Sequence, residues 1–375
     1  MRVLVAPQEF KGSLGADEAA AAIASGLRSA HPDWTFDSLP MSDGGPGLLD
    51  AIRRAVKSDT MAAVVHDALG RRVLGRYARL RESGDIVIEA AQANGLLHVK
   101  QEERDALSAD SFGVGELIAD AAKAGPGRVI IGVGGSATTD GGAGMARALG
   151  ARFLDGAGRE LPPGGGALGT LERIEWEFPA DLRGIAFLVA TDVTNPLCGA
   201  NGAARVYGPQ KGATPEQVDI LEAALFRYAQ VVRRHFGVEI ASVPGGGAAG
   251  GLAAGLAVFL GARIESGFDL VAGATGLAER LARADLVVTG EGRFDSQSLQ
   301  GKVTGRIIEM ARATAKPVVV FCGTSLMPAE VPVRSLSEIA PDTRTAMEDA
   351  AALLKTLAAA WARESAEEIA RMGDR

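Results

Sequence analysis

The sequence predicts an α/β fold: two α/β domains, the first on a flavodoxin-like or Rossmann-like parallel sheet, the second a mixed-sheet domain inserted into it. Three observations carry this. Short apolar runs are followed at once by turns rich in Gly and Asp, and helical periodicity follows several of those turns. A stretch from Val64 to Glu89 instead reads as consecutive strands joined by a tight turn. The 375 residues exceed the roughly 250–300 at which one hydrophobic core stops growing, which favours two domains.

Element by element, the chain opens with a strand, Val3-Leu4-Val5. It runs into Phe10-Lys11-Gly12-Ser13. Ala19, Ala22, Ile23, Gly26, Leu27 and Ala30 then share one helical face, with Asp17 and Glu18 at the end where the helix dipole favours negative charge. Phe36 to Met41 is the next strand and Ser42-Asp43-Gly44-Gly45 its turn. Leu48, Leu49, Ile52 and Val56 mark a second helix.

Val64 to Tyr77 reads as strand, Gly70 turn and strand, with Asp85 to Glu89 a third. These strands should pair antiparallel. Strand-turn-helix units return at 129–150 and 186–200. Gly156 to Gly166 is a loop. Ala284 to Val288 is a strand, Gly301 to Thr314 a helix and Pro317 to Phe321 a strand. An Ala-rich amphipathic helix runs from about Asp342 to Arg371. The last third resembles the first, so the expected domains are 1–62 plus 284–375, and 63–283 inserted between them.

Composition narrows the function. Lys+Arg is 39 and Asp+Glu 46, a formal charge of −7, which speaks against a general nucleic-acid binder. Cys198 and Cys322 make neither a disulfide framework nor a zinc motif. The uncharged stretch Ala241 to Ala262 is rich in glycine and reads as a buried helix rather than a membrane span. The start of the chain reads as a strand, not a signal peptide. A soluble cytoplasmic protein is expected. His31, His66, His98 and His235 all lie outside the strand-end turns, and no GxSxG elbow is present, so a Ser-His-Asp hydrolase is not indicated.

The strand-end turns carry the chemistry. In open α/β sheets, ligands bind outside the carboxyl ends of the strands. Lys11-Gly12-Ser13 before a helix suits an anion, or is an exposed lysine before an ordinary cap. Asp43 is a metal-ligand candidate in what is otherwise a plain turn. Gly132-Val133-Gly134-Gly135-Ser136-Ala137 loosely fits a dinucleotide turn. Thr138-Thr139-Asp140-Gly141-Gly142 intervenes before any helix, which suits a polyphosphate or polar substrate better. Asp192 and Asn195 follow a strand and can orient a hydroxyl or hold a metal, or close an Asx turn. Gly245-Gly246-Gly247 precedes a helix and offers either a phosphate site or close packing. Gly290-Glu291-Gly292-Arg293-Phe294-Asp295-Ser296-Gln297, followed by Gln300-Gly301-Lys302, is dense in charged groups but lacks a Walker A loop, because Val303 stands where Ser or Thr is needed.

Taken in order, these stretches resemble the type-1 family of bacterial glycerate kinases. The matching residues are Ala6-Pro7 with Phe10 to Leu14, Asp43-Gly44-Gly45, Gly132 to Gly144, Thr191 to Gly199, Gly208 to Ala213, Gly245 to Gly261 and Thr289 to Lys302. The resemblance implies ATP-dependent phosphorylation of D-glycerate at the 2-hydroxyl, in a cleft between two α/β domains. Under this reading Lys11 stabilises the transferred phosphoryl group and Asp192 accepts the hydroxyl proton. Asp43 and Asp295 hold Mg²⁺, and Arg293 binds the substrate carboxylate or a phosphate. The sequence does not separate Asp192 and Asp295 between base and ligand. Ser13, Gly134, Gly135, Ser136, Thr138, Asp140, Asn195, Gly245, Gly246 and Gly290 line the substrate and nucleotide sites. The expected partners are D-glycerate and ATP with Mg²⁺, without nucleic acid or membrane.

Four residues, in three turns, depart from the family's usual pattern. Gln8-Glu9 stands for Asp-Ser, Pro46 for Glu, and Thr139 for Asn. They bear on substrate choice, and a related hydroxy acid is the alternative acceptor. Two other readings compete. One is a nicotinamide-dependent oxidoreductase on Gly132 to Ala137, with Asp155 on the ribose. The other is a non-catalytic regulator on a decayed kinase.

Overall fold

The structure is a computed structural model, and it describes residues 1–296, 298–299 and 302–365. Thirteen strands occur among them: β1 (Arg2–Val5), β2 (Thr35–Ser38), β3 (Ser58–His66), β4 (Arg72–Leu80), β5 (Ile86–Glu89), β6 (Arg128–Gly132), β7 (Arg152–Leu154), β8 (Arg173–Glu175), β9 (Ala186–Ala190), β10 (Arg263–Glu265), β11 (Leu286–Phe294), β12 (Val318–Ser325) and β13 (Val333–Ser335). The chain divides into two compact units. One comprises residues 1–43, 50–56 and 268–365, the other 44–49 and 57–267.

The first unit is built on a five-stranded sheet in the order β13-β12-β11-β1-β2, parallel throughout. Counted within the unit, this is the flavodoxin-like 2-1-3-4-5 order, whose switch point lies between β1 and β11. Val3, Leu4 and Val5 are all buried, as a parallel strand covered on both faces requires. On one face the helix Ala16–Ala30 packs against the helix Ala350–Glu364. Ile23 and Leu27 meet a core that includes Leu354, Leu357 and Trp361. Fully burying a leucine contributes about 1.5–3 kcal/mol, so this helix pair anchors the unit. The C-terminal helical reading splits into Thr343–Glu348 and Ala350–Glu364, and its stretch to Arg371 lies outside the described residues.

The strand expected over Ala284 to Val288 is longer than its apolar run. β11 continues through Thr289-Gly290-Glu291-Gly292-Arg293-Phe294, which the sequence presents as a turn. Its register with β12 holds to the end, pairing Gly290 with Phe321, Glu291 with Cys322 and Arg293 with Thr324. The reason is steric: a Cβ on Gly290 would stand 2.2 Å from the Phe321 carbonyl oxygen. Glycine here marks close strand approach rather than a bend.

The second unit carries a six-stranded mixed sheet, β10-β9-β6-β5-β4-β3. β3, β4 and β5 pair antiparallel, while β5, β6, β9 and β10 run parallel. β7 and β8 form a separate antiparallel pair. The core includes Phe153, Tyr228 and Phe259, and the helix Leu252–Leu260 is buried in it. No helix among the described residues is long and apolar enough to cross a membrane. The helix Pro215–Phe236 follows a capping box between Thr214 and Gln217 and ends at Gly237 in the left-handed conformation.

Candidate active site

The carboxyl edge of the parallel sheet in the first unit opens into a cavity of about 510 Å³. The segment after β1 contributes Gln8, Glu9, Lys11 and Ser13, the one after β2 contributes Asp43, and β11 and its continuation contribute Glu291, Arg293, Asp295 and Lys302. Thr289 Oγ1 donates to the Ala6 carbonyl at 2.9 Å, fixing the two segments that flank the switch point. The cavity thus lies where an open α/β sheet binds its ligand.

Acidic and basic side chains both line this cavity. Arg293 Nε lies 3.1 Å from Asp295 Oδ2, with the arginine largely exposed. Gln8 Nε2 donates to Glu291 Oε2 at 3.1 Å. Glu291 is 4% exposed, and its Oε1 has no hydrogen-bond partner among the described residues. Burial pushes its carboxyl above the usual range, and Asp295 adds to this, while the Ser298 and Thr304 hydroxyls and Lys302 oppose it. The Glu9 carboxyl is also raised, by burial first and by Asp43 last, with Lys11 opposing. Gln8 and Glu9 thus both line this cavity, one neutral and one acidic.

In the second unit, the carboxyl ends of β6 and β9 carry the remaining candidates. Asp140 has no exposed surface, and its carboxylate is fully engaged by the chain. Oδ2 accepts from Ser111 N, Ser111 Oγ and Gly144 N at 3.0, 2.7 and 2.9 Å, and Oδ1 accepts from Gly142 N at 3.1 Å. Thr138 Oγ1 accepts from Asn94 Nδ2 at 3.0 Å, and its carbonyl accepts from Lys211 Nζ at 2.5 Å. Lys211 also donates to Ser136 Oγ at 3.2 Å. These contacts set the shape of the 136–144 loop from within. Thr139 is fully buried, and its hydroxyl has no partner among the described residues.

Gly134 and Gly135 form the turn under Pro46, whose ring carbon stands 2.7 Å from where a Cβ on Gly135 would be. Asp192 Oδ1 accepts from Ser266 Oγ at 2.8 Å. Asn195 donates to the Asn201 carbonyl and accepts from the Tyr207 hydroxyl, both at 2.8 Å. Gly245 N donates to the Thr194 carbonyl and Gly247 N to that of Asn195, while Gly246 N donates within its own turn to Val243. The glycine-rich turn and the Asp192 turn therefore brace each other.

The first unit thus gathers Lys11, Ser13, Asp43, Arg293 and Asp295 around one cavity, with Gly290 buried in β11 behind it. The second gathers Gly134 to Asp140 in one loop, and Asp192, Asn195, Gly245 and Gly246 in a braced pair of turns. Gln297, Gln300 and Gly301 lie outside the described residues. Glu291 and Lys211 stand inside motifs the sequence displays, but a linear pattern does not separate a buried charge from an exposed one. The dinucleotide reading fails on geometry. No helix opens until Ala143, and Asp155 spends its carboxylate on Ala157 N, Arg159 N and Arg159 Nε of its own turn.

Comparison with known proteins agrees with this geometry. The profile of the Glycerate kinase family matches residues 3–372. The chain is 43% identical over 325 residues to the Glycerate 2-kinase of Escherichia coli (strain K12), covering 86% of this chain and 85% of that one. It is 39% identical over 373 residues to the Glycerate kinase of Bacillus subtilis (strain 168), covering 94% and 98%. The crystal structure named for glycerate kinase 2 from Salmonella typhimurium LT2 superposes with a TM-score of 0.85 at 41% identity, over 100% of both chains. A charged cavity at the switch point of a flavodoxin-like sheet, together with these matches along nearly the whole length, places the chain in the glycerate kinase family.

Proposed function

We propose that this kinase transfers the terminal phosphoryl group of ATP to the 2-hydroxyl of D-glycerate, giving 2-phosphoglycerate. The observation that carries the reading is the gathering of Lys11, Arg293 and Lys302 with Asp43 and Asp295 around one cavity. Phosphoryl transfer depends on positioning and charge neutralisation more than on covalent chemistry, and this cavity offers both signs of charge. The 2-position is supported by the name of the Escherichia coli relative.

Lys11 neutralises charge on the transferred group, and Arg293 holds the substrate carboxylate or a phosphate. Asp192 accepts the hydroxyl proton, or exchanges that role with Asp295. Asp43 and Asp295 would hold Mg²⁺. The acidic side chains of this cavity offer carboxylate oxygens, a donor set that suits a hard cation. No group of three or more His, Cys, Asp or Glu able to hold a metal occurs among the described residues. Mg²⁺ does not need one, because it usually binds through one or two carboxylates plus phosphates and water. When bound, the cation neutralises charge across the phosphates.

The test is ADP release from Mg²⁺–ATP with a panel of small hydroxy acids. Release with D-glycerate supports the proposal. Release only with another acid replaces its substrate, and no release with any acceptor rejects it.

A further inference from the structure

The cavity of the first unit is large for a three-carbon acid, and not all of its wall is charged. Met347 and Ala346 line it from the helix Thr343–Glu348 and Leu336 from the segment after β13, with the hydroxyls of Thr324 and Thr343 among them. Met347 is 45% exposed, a large apolar side chain open at a polar site. Glycerate has a carboxylate, two hydroxyls and almost no apolar surface, so this wall has no use for it. A nucleotide base has apolar faces and a hydrogen-bonding edge, and pockets for such ligands combine apolar walls with a few placed polar groups.

We propose that Met347, with Leu336 and Thr324, forms the base-and-ribose subsite for the nucleotide, next to the Lys11 turn. The proposal rests on the kinase reading above and assigns one end of its co-substrate. Two contacts join the subsite to the phosphate-neutralising lysine. Ser13 Oγ donates to the Met347 carbonyl at 2.7 Å, and a Cβ on Gly12 would stand 3.3 Å from Met347 Cε. Gly12 has a φ of +77°, so a side chain there is both strained and crowded against the methionine. The turn that bears Lys11 is thereby docked on the residue that would cover the base. Thr324 sits directly across the strand pair from Arg293, so an edge-binding hydroxyl and a phosphate-binding guanidinium share one register position.

The experiment measures ADP and inorganic pyrophosphate binding by calorimetry, and the Michaelis constants for ATP and D-glycerate, in wild type, Met347→Ala and Met347→Glu. The Ser13 contact uses the Met347 main chain and survives both substitutions. Loss of the methionine's apolar contact should weaken ADP binding and raise KM for ATP by roughly five- to tenfold in Met347→Ala. Met347→Glu should weaken ADP binding further. Pyrophosphate affinity of Met347→Ala and its KM for glycerate should stay within about twofold of wild type, since neither ligand carries a base. Unchanged ADP affinity in both variants overturns the assignment. So does equal loss of ADP and pyrophosphate binding, or a rise confined to the glycerate KM. ADP calorimetry needs no turnover, so wild-type inactivity on glycerate would replace the proposed acceptor while leaving this test intact.

Discussion

Lys211 Nζ lies 2.5 Å from the carbonyl oxygen of Thr138, at a place where neither residue is appreciably exposed. A neutral amine has two hydrogens, and the structure gives it two acceptors, the Thr138 carbonyl and Ser136 Oγ. Burial pushes the Lys211 ammonium down to about 7, against the pull of Asp140. Between that pH and about 10.4, an unfolded lysine keeps a proton that the folded one has lost. The unfolded state then binds more protons, so stability rises with pH across this window.

The first prediction follows from that sign. Lys211→Met leaves a buried carbonyl and a buried hydroxyl unpaired, at roughly 1–3 kcal/mol each. The stability advantage of wild type over this variant should widen by up to about 1.4 kcal/mol per pH unit above neutrality. Urea unfolding at several alkaline pH values measures it. A constant difference would mean that Lys211 stays charged in the fold.

Gly290→Ala tests the reading of β11. Its Cβ would meet the Phe321 carbonyl at 2.2 Å, and backbone on the neighbouring strand cannot swing aside as a side chain can. A loss of about 1–3 kcal/mol is expected. A variant as stable as wild type in urea would show that the strands are not held this close.

Gln8→Glu would set a second carboxylate against Glu291, whose own carboxyl is already raised by burial. Two such groups cannot both ionise cheaply, so one should hold its proton well above the usual carboxylate range. The pH profile of kcat/KM should gain a titration on the acid-to-neutral side that wild type lacks. An unchanged profile would show that this pair does not bear on the reaction.

Much of the fold was legible from periodicity, because parallel strands buried on both faces are continuous apolar runs and their helices are amphipathic. The carboxyl end of β11 is not legible in the sequence, because Gly, Glu and Arg read as a turn, whereas Gly290, Glu291 and Arg293 pair with β12. Lys11, Asp43, Arg293 and Asp295 were legible as charges after strands. Met347 was not, since it lies on a late helix and reaches the cavity only through tertiary packing. Asp140 and Thr138 lie in a glycine-rich loop that reads as ligand-facing. Their side chains bind the chain itself, which depends on partners as distant as Asn94 and Ser111.

The role of Asp192 is open to direct attack. Asp192→Asn should lower kcat by about 10²–10⁴-fold, the usual contribution of a general base. Circular dichroism should report an unchanged fold, and near-normal turnover would remove Asp192 from the mechanism.

The central claim is that this chain phosphorylates D-glycerate at its 2-hydroxyl. Carbon and phosphorus NMR of the product formed from D-glycerate and Mg²⁺–ATP tests it most directly. The account predicts 2-phosphoglycerate with one ADP formed for each acid consumed. Phosphate on the 3-hydroxyl, or ATP hydrolysis without a phosphorylated acid, would contradict it.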